Sequence, residues 1–326
     1  MATAPSQGTV PRAVIAMPVF NEEAGLAEAL ESLLAQTEER LRIVVIDNAS
    51  TDASAEIAAA FAAEDPRVTV ERNGRHVGVV DNWRRAFWRA RQLHSDAAYF
   101  AWAGGHDRWQ PHWLETLAGR LDADASLVGA FPLADEIDDQ GRYVRPAKRR
   151  GGTVGLPRAR DRMAKQLPGI WVHSLFRPVY LERIGVAPAV RLPDRLTMAL
   201  LASQGELAQV DERLWLRRIF GPTPSWFEQR VHQRRTLFTG YPPLHSRLPW
   251  PLVHAGVLVW MLTVRGNGSL TRLEGLEVAS HYLLLSTRNL LRSPREPPMQ
   301  RVRERLRRAS SWRAAHREPR TAAPGG

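Results

Sequence analysis

With 326 residues, 44% hydrophobic and 24% charged, the chain has the composition of an ordinary folded protein and enough length for one large core or two modest ones. It contains no cysteine, which excludes structural disulfides, thiolate metal sites and a cysteine nucleophile. The net charge of +11 is almost wholly arginine, since Lys148 and Lys165 are the only lysines, and it favours an anionic partner such as a nucleotide diphosphate, a lipid headgroup or nucleic acid.

Residues 1–12 hold no apolar stretch of signal-peptide length, so the protein is expected to start and stay on the cytoplasmic side. AVIAMPV (13–19) reads as a first strand. A helix pattern follows over 22–36, with Leu26, Leu30, Leu33 and Leu34 on one face, Asn21 as its cap, and Glu22 and Glu23 at its positive end. LRIVVID (41–47) reads as a second strand, and Ser50 as a cap before an alanine-rich helix. A third strand (67–71), a third helix (79–93) and a fourth strand (97–103) complete the series. Strands alternating with helices imply parallel pairing and an open, mostly parallel α/β sheet with flanking helices. Ligands gather beyond the carboxyl ends of such strands. That singles out residues 18–21, 47–52, 73–78 and 104–107.

After Pro111 the pattern gives a helix carrying Trp113, Leu114 and Leu117, then a strand over 127–135 and a DDQG turn into a partner. Residues 145–165, basic and glycine-containing, read as a mobile loop, and helical patterns dominate from about 178 to 240. The longest apolar run, Leu248 to Val264, is broken by Pro249, Pro251 and His254. A spanning helix needs roughly 20 apolar residues, so this run reads as buried or interfacial. Near the end, Val302, Leu306, Ala309 and Trp312 share one helical face among arginines. That suits either a helix lying on an anionic membrane or a solvated terminus. The expected organisation is an α/β domain over 1–240, an apolar helical extension over 241–295 and a basic, partly disordered tail over 296–326.

Two segments carry chemistry. Asp47 ends a buried strand, where its carboxylate can accept hydrogen bonds from a base or ribose, or can merely cap the next helix together with Ser50. Gly104-Gly105-His106-Asp107 follows the fourth strand, and a strand-end carboxylate there can hold a divalent cation that bridges two phosphates. In order and spacing, PVFNEE (18–23), VVIDNASTD (44–52) and the Asp107 loop followed by Pro111 resemble the family 2 glycosyltransferases of the GT-A fold, over about residues 12–220.

The resemblance implies a Rossmann-like sheet and transfer of a sugar from a nucleotide-diphosphate sugar to an acceptor hydroxyl with inversion. The acceptor would be a glycan or lipid-linked molecule, in cell-surface polysaccharide or glycolipid assembly. By the same resemblance, Pro18, Phe20, Asn21, Glu22 and Asp47 hold the base and ribose, with Phe20 where an aromatic lies against the base. Asn82 and His106 join them as candidate substrate-binding residues. Asp107 is the candidate ligand for Mg²⁺ or Mn²⁺. Gly105 departs from the family's Asp-x-Asp, so Asp107 is the only motif carboxylate, and His106 or water would complete the shell. Residues 192–218 resemble the family's acceptor-side segment, in which an acidic pair precedes a helix, a glycine, a strand-like run and an arginine, with Pro193-Asp194 in place of its usual Glu-Asp. Asp194 is thus the candidate general base, or else a helix N-cap. Trp171 and His173 are placed to meet sugar faces and hydroxyls, with core packing the other role for Trp171. Arg217 and Arg218 would contact diphosphate or lie solvated. Nucleic acid is not expected, because the basic residues concentrate in a loop and a tail and not on an aromatic-bearing face. The missing first aspartate leaves a second function open, a protein that binds nucleotide sugar or glycan without catalysis.

Overall fold

The computed structural model describes residues 10–147, 154–156, 158–164, 169–220, 236–266 and 270–292. Its first strand, β1 (Ala13–Val19), sends Ala13, Ile15, Met17 and Val19 to one apolar layer and Val14 and Ala16 to the other, so it is buried on both faces. β2 (Leu41–Asp47) lies parallel to β1, and β3 (Val68–Arg72) lies parallel to β2 on its far side. β4 (Tyr99–Trp102) pairs in parallel on the other flank of β1. Three helices make the crossovers: α1 (Leu26–Leu34), α2 (Ser54–Glu64) and α3 (Val79–Leu93). The four strands and three helices expected from the alternation are therefore present, and α3 keeps the bounds read from the sequence.

The sheet continues through shorter and longer pieces. β5 (Arg108–Trp109) precedes α4 (Trp113–Asp122), β6 (Leu127–Ile137) and β7 (Tyr143–Pro146). Then come α5 (Ala159–Ala164), a 3₁₀ turn at Gly169–His173, β8 (Leu175–Phe176), α6 (Pro178–Ile184), α7 (Pro193–Gln204) and β9 (Glu206–Arg218). The nine strands run in the order β3-β2-β1-β4-β8-β6-β9-β5, with β7 beside β6. Around β8 the pairing turns antiparallel, while β6 and β9 are parallel to each other.

Differences from the sequence reading have local causes. Part of the expected mobile loop is helical (α5), while within the stretch expected to be mainly helical, the helix, glycine and strand-like run implied by the resemblance are present as α7, Gly205 and the thirteen-residue β9. Its run ELAQVDERLWLRR shows neither strict alternation nor a helical stripe, and it becomes a strand by pairing along β6. Asn21 does not cap α1, whose N-cap is Gly25 with no side-chain bond. Ser50 does not cap α2 either. The N-cap there is Ala53, and Asp52 accepts the Ser54 amide at 3.0 Å.

A helix α8 (Trp250–Val259) runs on through a π-type turn at Trp260–Arg265, and α9 spans Arg272–Arg292. Contacts divide the chain into one unit ending at Leu284 and a second beginning at Leu285, of which residues 285–292 are described and helical. Within the first unit, Trp250, Leu258, Leu262 and Val278 join the apolar layer that holds Phe87, Phe100 and Leu196. The segment after residue 240 thus shares a core with the sheet. The tail at 296–326 lies outside the described residues. No described helix is long and apolar enough to cross a membrane.

Candidate active site

The carboxyl ends of β1 and β2 form the first wall. Pro18 sits half-buried opposite Ile46, beyond the last residue of β1 that pairs with β4, so its missing N–H costs no ladder bond there. Asn21 adopts φ +55°, a left-handed conformation that asparagine tolerates better than most residues. In that pose its Oδ1 accepts the Thr51 amide at 2.9 Å, and its own amide donates to Ser50 Oγ at 3.0 Å. The first loop is thereby fastened to the loop after β2. Phe20 beside it is exposed, with its ring 4.2 Å from that of His76.

Asp47 is fully buried at the end of β2. Its carboxylate accepts the Ser50 amide at 3.2 and 3.3 Å and lies 3.3 Å from Arg72 Nε. The capping reading of Asp47 is therefore met in a different form, since it braces the turn and not the helix. Behind it stands a buried amide cluster. Asn73 donates to Asn48 and Asn82 at 2.9 Å each, and Asn82 reaches the Ile46 carbonyl at 3.4 Å. Asn82 is 3% exposed with both amide ends engaged. Its expected substrate contact gives way to a structural role, because α3 buries it behind the strand ends.

The loop after β4 makes the second wall. Asp107 is 2% exposed, and its Oδ1 accepts the Arg218 amide at 2.9 Å while Oδ2 accepts Trp215 Nε1 at 3.0 Å. Arg218 folds back over the loop, donating to the His106 carbonyl at 2.9 Å and to Glu28 and Asp139. Arg217, the expected diphosphate contact, points elsewhere. It lies opposite Glu136 on β6 and pairs with that carboxylate at 3.0 Å. Trp215 was not singled out from sequence. The available signal was a tryptophan three residues before an arginine at a strand end, but only the pairing of β9 with β5 brings that end to Asp107.

His106 Nδ1 meets Glu22 Oε2 at 2.9 Å, and its Nε2 lies 3.8 Å from Asp107 Oδ1. Burial alone would lower the His106 pKa, but the Glu22 hydrogen bond and the Asp107 and Glu22 charges outweigh it, so the pKa is raised. A Cβ added at Gly105 would lie 3.2 Å from both Cβ and Cγ of Glu22. A side chain at 105 would thus need Glu22 to give way by a few tenths of an ångström. For a cation, Asp107 offers the lone pairs left over after one hydrogen bond on each oxygen, and His106 Nε2 is the nearest second donor. Among the described residues no group of three or more His, Cys, Asp or Glu gathers as a metal site. Any metal there would therefore need donor oxygens from the substrate or water.

The third wall comes from the second half of the chain. Asp194 lies in the first turn of α7, whose N-cap is Leu192 with no side-chain cap bond, so Asp194 is not the N-cap. Leu192 itself holds φ +53°. A leucine there costs about 1–2 kcal/mol of strain. The Asp194 carboxyl packs against Gly169 so closely that a Cβ on residue 169 would stand 1.8 Å from its Oδ2. Burial is the leading influence on Asp194 and holds its pKa above the ordinary aspartate value, although the Arg195 amide and the Arg195 charge pull it down. His173 is within electrostatic reach of both Asp107 and Asp194, and burial lowers its pKa. Its Nδ1 meets the Trp102 carbonyl at 3.2 Å, and its ring lies 5.5 Å from Trp83 and 5.8 Å from Trp215. Trp171, by contrast, is 7% exposed and stacks on Phe131 at 3.7 Å, so core packing replaces the expected sugar contact.

A mostly parallel sheet with Asp47 and Asp107 at its strand ends, and Asp194 on a later helix, has the architecture of the GT-A α/β class. The model of the family described as glycosyl transferase family 2 matches residues 14–176, and the chain belongs to that family. S. aureus TarS 1-349, solved in complex with UDP-GlcNAc, shares the fold at a TM-score of 0.55 and 16% identity, over 84% of this chain and 71% of that one. A protein of Mycobacterium tuberculosis is 29% identical over 226 residues, 68% of this chain and 66% of its own length. Glycosyltransferase GlyG of Streptococcus pneumoniae is 39% identical over 127 residues, 38% of this chain and 40% of its own. The matched parts span less than two thirds of these curated relatives.

Proposed function

We propose that the protein transfers a sugar from a nucleotide-diphosphate sugar to an acceptor hydroxyl with inversion, in assembly of a cell-surface polysaccharide or glycolipid on the cytoplasmic side. The observation that carries this reading is the turn Gly169–His173, which links two carboxylates: the His173 ring lies 5.8 Å from Trp215, whose Nε1 donates to Asp107, and Gly169 packs against Asp194, whose pKa burial raises. In this reading Asp47 accepts hydrogen bonds from the nucleoside, and Phe20 and His76 offer aromatic surface for the base. Asp194 takes the proton of the acceptor hydroxyl as its oxygen bonds to the anomeric carbon. The bond from that carbon to the diphosphate breaks on the opposite face, and a single displacement inverts the centre. A tuned carboxylate suits this task better than an ordinary one, since its proton affinity is closer to the working pH. Mg²⁺ or Mn²⁺, held by Asp107 with His106, water and phosphate oxygens, would neutralise charge on the departing diphosphate.

A second reading, binding without turnover, is favoured by one feature: residue 105 is glycine, which leaves Asp107 as the only carboxylate of the motif. One experiment separates the two. Calorimetric titration with UDP-, GDP- and dTDP-sugars, with and without Mn²⁺, identifies the donor. Turnover with that donor and an acceptor, producing the inverted anomer, is then the expected result. Binding with no transfer to any acceptor, or a retained configuration, overturns the catalytic assignment.

A further inference from the structure

Residues 236–266 contain no aspartate or glutamate. Within them, Arg247 and Arg265 frame the run Leu248–Val264, whose single titratable group, His254, is fully buried. Its Nε2 bonds the Arg191 carbonyl at 2.7 Å, its Nδ1 meets the Tyr282 hydroxyl at 2.9 Å, and burial holds its pKa down to about 4, so it is neutral. The inner face of α8 is therefore satisfied. The outer face shows Leu252, Gly256, Trp260 and Val264 at successive four-residue steps, with Leu248 just before the helix, and all five are exposed. Surface helices normally turn polar residues outward, and this one does the reverse. An apolar groove of about 390 Å³ lies along it, lined by Leu248, Leu252, Val253, Val257 and Trp260 among others.

We propose that this face docks on the surface of an anionic lipid bilayer, with α8 lying in the headgroup plane. The side chains fit that occupant. Leucine and valine would enter the acyl boundary, and Trp260 has the amphipathic ring that favours the interface. Exposed Arg247 and Arg265, at the two ends of the stripe, would meet phosphate headgroups while their stems stay along apolar surface. A second copy fits less well. A two-fold contact would set this acid-free, arginine-framed face against itself, and each copy carries a net charge of +11. The inner side of the same helix reaches the segment around Asp194. His254 bonds Arg191, and Arg195 lies over the Trp250 ring at 5.4 Å. Docking would thus bring the candidate base close to the membrane, on whichever molecules it acts. The inference rests on this surface and not on the sugar-transfer reading.

Because the chain has no cysteine, Leu252→Cys gives one site for an environment-sensitive fluorophore on this 326-residue chain. The label is expected to shift blue with vesicles of phosphatidylcholine plus phosphatidylglycerol, and little with phosphatidylcholine alone. In vesicle co-sedimentation, L252E/W260E should weaken binding tenfold or more, L252Q/W260Q should weaken it less, and R247E/R265E should remove the preference for anionic lipid. These positions are exposed, so circular dichroism and donor titration should be unchanged, which separates failure here from failure of the active-site reading. Undiminished vesicle binding by L252E/W260E would place any membrane contact elsewhere and overturn the proposal. So would a dimer that this variant dissociates while the label on Leu252→Cys ignores vesicles.

Discussion

The wall that holds Asp107 and the wall that holds Asp194 treat their carboxylates differently. Asp107 is buried but answered, with Trp215 Nε1 on one oxygen and the Arg218 amide on the other. Asp194 sits against Gly169 with its pKa raised by burial. Fixed donors on both oxygens hold the Asp107 carboxylate in one place. Burial, outweighing the Arg195 amide and charge, makes Asp194 hold its proton more readily than an ordinary aspartate. The first arrangement suits holding a ligand, and the second suits exchanging a proton.

The largest test of this contrast is Asp194→Asn. Turnover should fall by about 10²–10⁴-fold with donor affinity unchanged, and the acid limb of the pH–rate profile should disappear. Stability should move the other way. The folded-state pKa lies above the unfolded value of about 3.9, so this group favours folding most below that value, and the benefit is lost as pH rises through the folded value. At neutral pH the variant should therefore melt at a higher temperature than the parent. A lower melting temperature with normal turnover would return Asp194 to a purely structural part.

Gly169→Ala attacks the same carboxylate from outside. Its new methyl would collide with Oδ2, and a displacement of that kind costs about 10²-fold in rate. Calorimetry should find donor binding intact. On the donor side, Asp47→Ala should weaken nucleotide binding about tenfold to a hundredfold, the equivalent of one charge-assisted bond, roughly 1.5–3 kcal/mol. Unchanged affinity in a folded variant would confine Asp47 to bracing the Ser50 turn. The smallest effect belongs to Arg217→Gln. Its partner Glu136 is buried but keeps its other cation, Arg145, at 2.7 Å, so donor affinity should not change and the melting temperature should fall only slightly.

The two walls also differed in how far the sequence disclosed them. Around Asp47 and Asp107, the continuous apolar run of β1 and the helical stripe of α1 follow from local pattern, and the strand-end rule alone points to both carboxylates. What stayed hidden was long-range. Nothing local tells that Asn82 would be walled in by Asn73 and Ile46, or that Asn21 would turn left-handed to grip Thr51 and leave α1 uncapped. Around Asp194 the pattern itself was ambiguous. The run in β9 suits helix or strand until β6 lies beside it. Trp171 and His173, two residues apart on one turn, meet different surroundings, one stacked on Phe131 and the other in reach of two carboxylates. Arg217 and Arg218 are adjacent on one strand, yet their side chains diverge to Glu136 and to the His106 loop.

Glu22, close beside Gly105, makes the effect of a change at one position depend on the other. Placing an aspartate at 105 in the present protein would press its Cβ against Glu22, at 3.2 Å from two of its carbons, and would disturb the bond from Glu22 to His106. Shortening Glu22 first would open the room, but would leave His106 without its carboxylate partner in the meantime. Positions 22 and 105 are therefore coupled through one contact and one hydrogen bond, and a double-mutant cycle at the two sites should find their effects non-additive.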